Sequence, residues 1–531
     1  MEIMNKFSIF GGERSHFLNQ KDESRVYKVK VWHILIVILF VALALRLVHI
    51  LQPQVIENDG IEYIRQAREV FSGGWADGKA PPLYPTLIAL ASLITKDYEA
   101  AGIWVSIFFG TLTVLFVFYL GRAIFNEVVG IISAFLAAVQ PFLYIYSGSV
   151  LTESTYYFLI VCAALLGWKA FRRGSPYFAL LFGLVTALAY LTRPEAVGFL
   201  FILSVWLLLF NPPQSKRHWL KRVGIVLLVI LGFVALSSPY LIQIRKETGK
   251  WSISRKADIS IGSPSAGENP ASDGSIGTDA RLALLPLVKN PLGLLSKVGL
   301  GLLSSLYRFQ QAYNPILFIF AVLGWIGILK KKSSHSLKMN FYVLSYHFFF
   351  FGLLFPFFLV NRRYTSQMIP LSIPWTAFGI LVFMDWIYQR RKFVVSKERL
   401  VFILLIALSI MLLVQGRVSH KREARFIRRE AGLWMKDHLP KGGKVMSRYP
   451  QEAFYAELPW VGIPKGSYAE ILRAACSQGV RYLVVDEDID KDSPSFWADR
   501  KEGDLVLLKD FKTKNQRMVV FKIVYPEKRE P

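Results

Sequence analysis

The sequence predicts a polytopic α-helical membrane protein with about eleven transmembrane helices and a small extracytoplasmic α/β domain at the C-terminus. Of the 531 residues, 53% are hydrophobic and only 19% are charged, whereas about 25% are charged in an ordinary soluble domain. Several continuous apolar runs approach or exceed the ~18 residues of a spanning helix. The C-terminal tail lacks such runs and instead shows short strand and helix patterns.

Eleven apolar runs are the candidate membrane helices. They are 31–50, 99–120, 128–146, 150–170, 177–191, 195–210, 222–242, 314–329, 339–360, 367–388 and 398–415. The two short runs at 177–191 and 195–210 are separated by Arg193-Pro194. Because proline cannot donate a backbone hydrogen bond and disfavours helix in the residue before it, we expect two helices that meet at a tight turn. One longer, kinked helix is the alternative.

The positions of Lys and Arg predict the orientation in the membrane. With the N-terminus inside, the inner segments hold 23 basic residues and the short outer loops hold three. Since cytoplasmic loops carry the excess of basic residues, we expect a cytoplasmic segment 1–30, a transmembrane domain 31–415, and outer loops 51–98 and 243–313. The tail 416–531 then lies outside the inner (plasma) membrane. No cleavable signal peptide is expected, because the first thirty residues are polar and the first apolar run is of spanning length.

The tail has the pattern of a small α/β domain, at the usual scale of about one hundred residues. The runs at 481–486, 504–508 and 518–524 are predicted strands, and 423–439 and 468–478 are predicted helices by their periodicity.

The net charge of +25 would suggest nucleic acid as a partner if the protein were soluble. In a membrane protein the same excess is a topology signal, and no nucleic-acid motif is visible, so we expect no nucleic-acid partner. The two cysteines, Cys162 in an apolar run and Cys476 in the tail, predict no disulfide.

Acidic residues lie after the first span and at the outer end of the fourth. Asp59 and Glu62 lie in the first outer loop, and Glu153 lies in the segment SGSVLTES. A carboxylate near the interface is suited to act as a general base on a hydroxyl. The alternative is helix capping, because Asn58 and Asp59 are favourable N-caps and Glu153 would lie in a first helical turn.

Basic residues on the same outer side run against the topology trend. Arg193 follows one short span, and Arg362, Arg363 and Tyr364 form the loop after the ninth. An arginine binds phosphate through two parallel hydrogen bonds, so these residues are candidate ligands of a phosphate group. Alternatively, each arginine pairs with an outer acid such as Glu153 or extends to lipid head groups.

The order of these motifs resembles the C-type glycosyltransferases, and specifically the superfamily of dolichyl-phosphate-mannose protein mannosyltransferases and aminoarabinose transferases. The resemblance covers about residues 1–390. It rests on Arg46, Asp59, Glu62-Tyr63, the PPLYP segment at 81–85, Leu151-Thr152-Glu153, Leu191-Thr192-Arg193-Pro194, Arg363-Tyr364 and Pro370. The tail adds Gly432-Leu433-Trp434-Met435 and Tyr482-Leu483-Val484-Val485-Asp486.

The resemblance implies that a sugar is transferred from a polyprenyl phosphate to an acceptor hydroxyl of a protein or glycolipid, with inversion, on the outer face of the membrane. It implies that Asp59 is the catalytic base and Glu153 its partner. Gly60 follows Asp59, which breaks the family's Asp-Glu pair and leaves Glu62 as the next acid.

The candidate donor ligands come from two arguments. The resemblance places Arg363-Tyr364 and the basic Lys79 upstream of the proline-rich stretch in the donor site. The outer-facing positions of Arg362 and Arg193, where topology would favour no cation, add these two arginines as ligands of the donor phosphate. No metal ion or other cofactor is implied.

Two other classes of protein compete with this interpretation. A transporter or lipid flippase would favour inverted repeats and broken helices at the midplane, but the sequence has no evident repeat and its unusual charges lie at the outer end. A non-catalytic scaffold or sensor would not require acids and arginines on one face of the helical part.

Overall fold

The computed structural model describes residues 20–52, 54–72, 80–210, 216–254, 291–330, 334–357, 361–390, 394–418, 423–491, 493–501, 503–513 and 516–525. The chain is mostly helical, with one small sheet near its C-terminus.

The helices before the C-terminal domain are predominantly apolar. They are α1 (Gln20–Leu51), α2 (Asn58–Glu69), α3 (Leu83–Thr95), α4 (Tyr98–Ile124), α5 (Glu127–Val139), α6 (Pro141–Ser147), α7 (Glu153–Arg173), α8 (Pro176–Tyr190), α9 (Val197–Leu209), α10 (Lys216–Thr248), α11 (Pro291–Tyr313), α12 (Pro315–Lys330), α13 (Ser334–His347), α14 (Arg362–Thr365), α15 (Ile369–Arg390) and α16 (Lys397–Val418). A π-helical stretch, Phe348–Leu354, continues α13.

Among the described helices, six are long and apolar enough to cross a membrane, which makes this a multi-pass membrane protein. They are Val31–Leu51, Tyr98–Ile124, Glu153–Arg173, Trp219–Thr248, Arg362–Arg390 and Lys397–Gly416. Two bent pairs, α5 with α6 (56°) and α11 with α12 (110°), raise the number to eight if each pair is one span. Each predicted run overlaps a helix, but the total of eleven spans stays a prediction.

The chain breaks at Arg193-Pro194, as the sequence predicted. Helix α8 ends at Tyr190, a 3-10 turn covers Pro194–Ala196, and α9 begins at Val197. Two separate helices are therefore present, rather than one kinked helix. The break leaves Arg193 in extended backbone (φ −150°, ψ 125°) at the junction.

Close packing between α12 and α15 depends on two glycines. A Cβ atom at Gly379 would lie 1.8 Å from the carbonyl oxygen of Phe320, and one at Gly324 would lie 2.2 Å from that of Trp375. Small residues at such a contact let two helix backbones approach closely in a membrane, where packing drives helix association. This pair anchors α15, which directly follows the α14 loop.

The C-terminal domain contains a five-stranded mixed sheet. Its strands are β1 (Lys444–Ser447), β2 (Trp460–Gly462), β3 (Val480–Asp486), β4 (Leu505–Lys512) and β5 (Arg517–Ile523), in the order β2-β1-β3-β5-β4. Strand β1 pairs in parallel with β2 and β3, whereas β5 is antiparallel to β3 and β4. The helices are α17 (Glu423–His438), α18 (Gln451–Tyr455), α19 (Tyr468–Ser477) and α20 (Phe496–Asp499).

The predictions for this domain are confirmed for its longer elements. The predicted strands correspond to β3, β4 and β5, and the predicted helices correspond to α17 and α19. The sequence did not reveal β1, β2 and α18, because three to five residues are too few to establish a periodicity.

Candidate active site

Arg363 joins two acids that come from different helices. Its Nη1 lies 2.8 Å from Oδ2 of Asp59, in the first turn of α2. Its Nε donates to Oε1 of Glu153, the first residue of α7. The guanidinium of Arg363 therefore joins three segments: the start of α2, the start of α7 and its own short helix α14.

Glu153 is the most buried member of this cluster, with its side chain 1% exposed. Its Oε1 also accepts a hydrogen bond from Nη1 of Arg193 at 3.0 Å. Its Oε2 is buried and has no hydrogen-bond partner among the described residues. Two arginines offset the cost of burying this carboxylate, and its position at the helix N-terminus favours a negative charge.

Arg193 is held by an acid and two aromatic rings. Its Nε donates to Oε1 of Glu195 at 2.7 Å. Its guanidinium carbon lies 5.6 Å from the ring centroid of Tyr156 and 5.5 Å from that of Tyr364. A cation over an aromatic face is attracted by the ring quadrupole, so Arg193 has a fixed orientation towards Glu153.

Gly60 explains how α2 comes close enough to α7. A Cβ atom at Gly60 would lie 2.8 Å from the carbonyl oxygen of Val150. Any larger residue would push α2, and with it Asp59, away from Glu153. The interruption of the Asp-Glu pair at Gly60 therefore has a packing reason.

The alternative that Asn58 or Asp59 is the N-cap of a helix in the first outer loop is wrong. Glu57 occupies the N-cap position of α2 and makes no side-chain cap hydrogen bond. Asp59 lies one step inside the helix, where it is paired with Arg363.

The backbone around Arg363 is fixed by local hydrogen bonds. The Asn361 side chain accepts a hydrogen bond from the backbone N–H of Tyr364 at 3.1 Å and caps α14. The Ser366 hydroxyl donates to the carbonyl of Arg363 at 2.6 Å and lies 2.5 Å from the hydroxyl of Tyr157 on α7. These contacts tie α14 to α7.

The structure thus brings together five of the predicted site residues: Asp59, Glu153, Arg193, Arg363 and Tyr364. The alternative that Arg193 and Arg363 pair with an outer acid is what the contacts show. Pairing of this kind also fixes the orientation of each arginine.

Glu62 lies apart from these five residues. Its carboxylate binds Arg65 at 2.7 Å and accepts from Nε2 of Gln66 at 2.9 Å, both on its own helix. Lys79 lies outside the described residues.

Two further arginines differ in their surroundings. Arg46 is fully buried in α1 and donates to the carbonyls of Ala42 (2.8 Å) and Gly110 (3.0 Å), so it has a packing role. Arg362 is exposed and makes no ion pair within the described ranges.

Sequence reasoning missed Glu195 and Tyr156, although Glu195 lies only two residues after Arg193. It also assigned no role to Tyr63, which lies behind Asp59 with its ring 5.4 Å from that of Tyr84. Burial and the Asp59 carboxylate raise the pKa of the Tyr63 phenol, so this hydroxyl stays protonated. In the part of the chain that the structure describes, no three metal-ligating side chains come together.

Comparison with known proteins supports the family resemblance. A sequence profile of the family described as dolichyl-phosphate-mannose-protein mannosyltransferase matches residues 79–242. No curated protein matches the sequence.

Two solved structures share the fold over most of the chain. The oligosaccharyltransferase AglB from Archaeoglobus fulgidus, in complex with an inhibitory peptide and a dolichol-phosphate, has a TM-score of 0.55 at 14% identity over 89% of this chain and 71% of its own. ArnT from Cupriavidus metallidurans, bound to undecaprenyl phosphate, has a TM-score of 0.52 at 13% identity over 94% of this chain and 98% of its own. The chain therefore shares the fold of these two solved structures, and the predicted resemblance to the superfamily that includes the dolichyl-phosphate-mannose-protein mannosyltransferases is confirmed.

Proposed function

We propose that this protein transfers a sugar from a polyprenyl-phosphate donor to a hydroxyl of a protein or glycolipid acceptor, with inversion, at the extracytoplasmic face of the plasma membrane. The observation that carries the proposal is the arginine that joins two acids at the ends of apolar helices, Arg363 with Asp59 and Glu153. The lipid phosphates bound to AglB and ArnT support the class of donor.

Asp59 is the proposed general base. Its side chain is 30% exposed, so an acceptor can reach it, and the guanidinium of Arg363 at 2.8 Å fixes its orientation. Glu153 is too buried to meet an acceptor directly and is proposed to hold Arg193 and Arg363 in place. Glu62 is the next carboxylate to consider if Asp59 is not the base.

The proposed donor ligands lie beside the acids. Arg363 uses Nε and Nη1 for the two carboxylates. Among the described residues nothing occupies its Nη2, which is the proposed ligand of a phosphate oxygen. Arg362 is exposed and can approach the same phosphate. Arg193 and Tyr364 are the other proposed ligands in this cluster. Lys79 is a further ligand proposed from the sequence alone.

The chemistry of these groups accounts for the transfer. The acceptor oxygen attacks the anomeric carbon and loses its proton to Asp59. The bond from that carbon to the phosphate oxygen breaks, and its electron pair stays on the phosphate. Negative charge grows there as the bond breaks, and fixed cations stabilise it. Attack from the face opposite the phosphate gives inversion.

A reconstituted assay tests the proposal. The purified protein in lipid nanodiscs is given a panel of synthetic polyprenyl-phosphate sugars and an extract of cell-envelope acceptors, and products are analysed by mass spectrometry. We expect a glycosylated product and release of polyprenyl phosphate with at least one donor. Movement of the donor between leaflets of proteoliposomes without glycosidic bond cleavage would support the flippase alternative instead.

A further inference from the structure

The C-terminal domain reaches the segment that leads from α1 into α2. The backbone N–H of Ile56 donates to the hydroxyl oxygen of Tyr455 at 2.9 Å. The side-chain amide of Gln451 donates to the carbonyl of Ile56 at 3.2 Å and to Oδ1 of Asn58 at 2.6 Å. Gln451 and Tyr455 are the first and last residues of α18. Their partner Asn58 directly precedes Asp59.

The same contact extends to α4 and α17. The hydroxyl of Tyr455 donates to Oε1 of Glu99, in the first turn of α4, at 3.1 Å. Nη1 of Arg429 on α17 donates to the carbonyl of Gln54 at 3.0 Å. The segment 54–58 is therefore bound to the C-terminal domain at its beginning, middle and end.

This contact is buried and polar. Ile56, Gln451 and Tyr455 are all buried, at 4%, 5% and 7% exposure. Within the described ranges, Oε1 of Gln451 has no hydrogen-bond partner. Burying that oxygen is unfavourable, so simple packing gives no reason for an amide here, whereas the two hydrogen bonds from its nitrogen do.

The start of α2 is held from outside the helix. Glu57 at the N-cap makes no side-chain cap hydrogen bond, whereas residues of α18 form hydrogen bonds to both backbone groups of Ile56 and to the side chain of Asn58. The position of the Asp59 carboxylate depends on the turn that these contacts hold.

We infer that α18 positions the proposed base. Gln451 and Tyr455 are positioning residues that act through Ile56 and Asn58 and do not touch the reacting atoms. The C-terminal domain is thus part of the transfer machinery in addition to any role in binding an acceptor. This inference rests on the proposed function.

Two conservative substitutions test it in the full-length protein in nanodiscs. Tyr455→Phe removes the hydroxyl and keeps the ring, and Gln451→Met removes the amide and keeps the chain length. Hydrogen exchange should become faster at residues 54–60 in both. Because a base displaced by about 1 Å costs on the order of 10²-fold in rate, kcat should fall by about 10- to 100-fold, with donor KM changed less than about twofold.

The control is Tyr468→Phe, which removes another phenol of the same domain, bound to Asp504 at 3.4 Å. It should leave kcat and the exchange at 54–60 unchanged. Unchanged exchange in Tyr455→Phe, faster exchange with unchanged kcat, or an equal loss of kcat in Tyr468→Phe would each overturn the inference. Absence of transfer by the wild-type protein would instead refute the proposed function.

Discussion

Nη1 of Arg363 lies 2.8 Å from Oδ2 of Asp59, and this ion pair joins the segment after the first span to the loop before α15. A guanidinium attracts a carboxylate and fixes its orientation through charge-assisted hydrogen bonds. The same guanidinium also binds Glu153, so a change at Arg363 affects both acids.

Arg363→Lys should weaken use of the donor. A lysine is a point charge and cannot reproduce the fork that binds Asp59, Glu153 and a phosphate together. We expect donor KM to rise by at least about 10-fold, the equivalent of about one charged hydrogen bond. The matched control is Arg65→Lys, because Arg65 also binds two carboxylates, Glu62 and Glu69, but outside the cluster. Equal KM values for the two variants would remove Arg363 from the donor site.

Glu153→Gln should destabilise the protein. The substitution removes the carboxylate that Arg193 and Arg363 share and leaves them with one acid each, Glu195 and Asp59. Breaking a buried ion pair completely costs about 3–5 kcal/mol, so the loss here should be smaller than that. Thermal unfolding in detergent should show a clear fall in Tm. Glu62→Gln, which removes a half-exposed acid, should leave both Tm and the transfer rate close to the wild-type values. A Tm for Glu153→Gln that matches the wild type would mean that the arginines do not depend on Glu153.

Glu452 should give the C-terminal domain a pH-dependent stability. Burial raises the pKa of this carboxyl from 4.5 to about 7, against the opposing effect of Arg428, whose Nε lies 3.6 Å away. Asp486, which also lies near Arg428, and Ser447 complete its charged and polar surroundings.

Because the pKa is higher in the folded state, the stabilisation from protonated Glu452 is complete below pH 4.5 and is lost as the pH rises towards 7. The difference in Tm between the wild type and Glu452→Gln should therefore change across this range and be constant above it. A difference that does not vary with pH would contradict the raised pKa.

The orientation can be tested directly. The distribution of basic residues predicts a cytoplasmic N-terminus and an extracytoplasmic C-terminal domain. Alkaline phosphatase, which is active only outside the cytoplasm, should be active when it is fused after Pro531. A reporter that is active only in the cytoplasm should be inactive at the same position. The reverse pattern would refute the predicted topology and place the proposed site on the cytoplasmic side.

The sequence predicted the larger elements because they carry long patterns. The apolar runs coincide with helices, and strands such as β3 have enough residues to show their character. The short helix α18 has five residues, so neither its existence nor its contact with Ile56 could be predicted.

The site was only partly predictable for a different reason. Asp59, Glu153, Arg193 and Arg363 come from four distant segments, and only the topology argument placed them on one face. Glu62 lies apart from these four residues and binds Arg65 three positions along the same helix. Residues three positions apart are neighbours on a helix surface, so the pairing of Glu62 with Arg65 could have been predicted from the sequence.

The most direct measurement is the transfer rate of Asp59→Asn. Asparagine keeps the size of the side chain but cannot accept the acceptor's proton, and loss of a general base costs about 10²–10⁴-fold in rate. The variant should remain folded, with exchange at 54–60 as in the wild type, and kcat should fall by at least about 100-fold. A purified, folded Asp59→Asn protein that transfers sugar at close to the wild-type rate would contradict the assignment of Asp59 as the base.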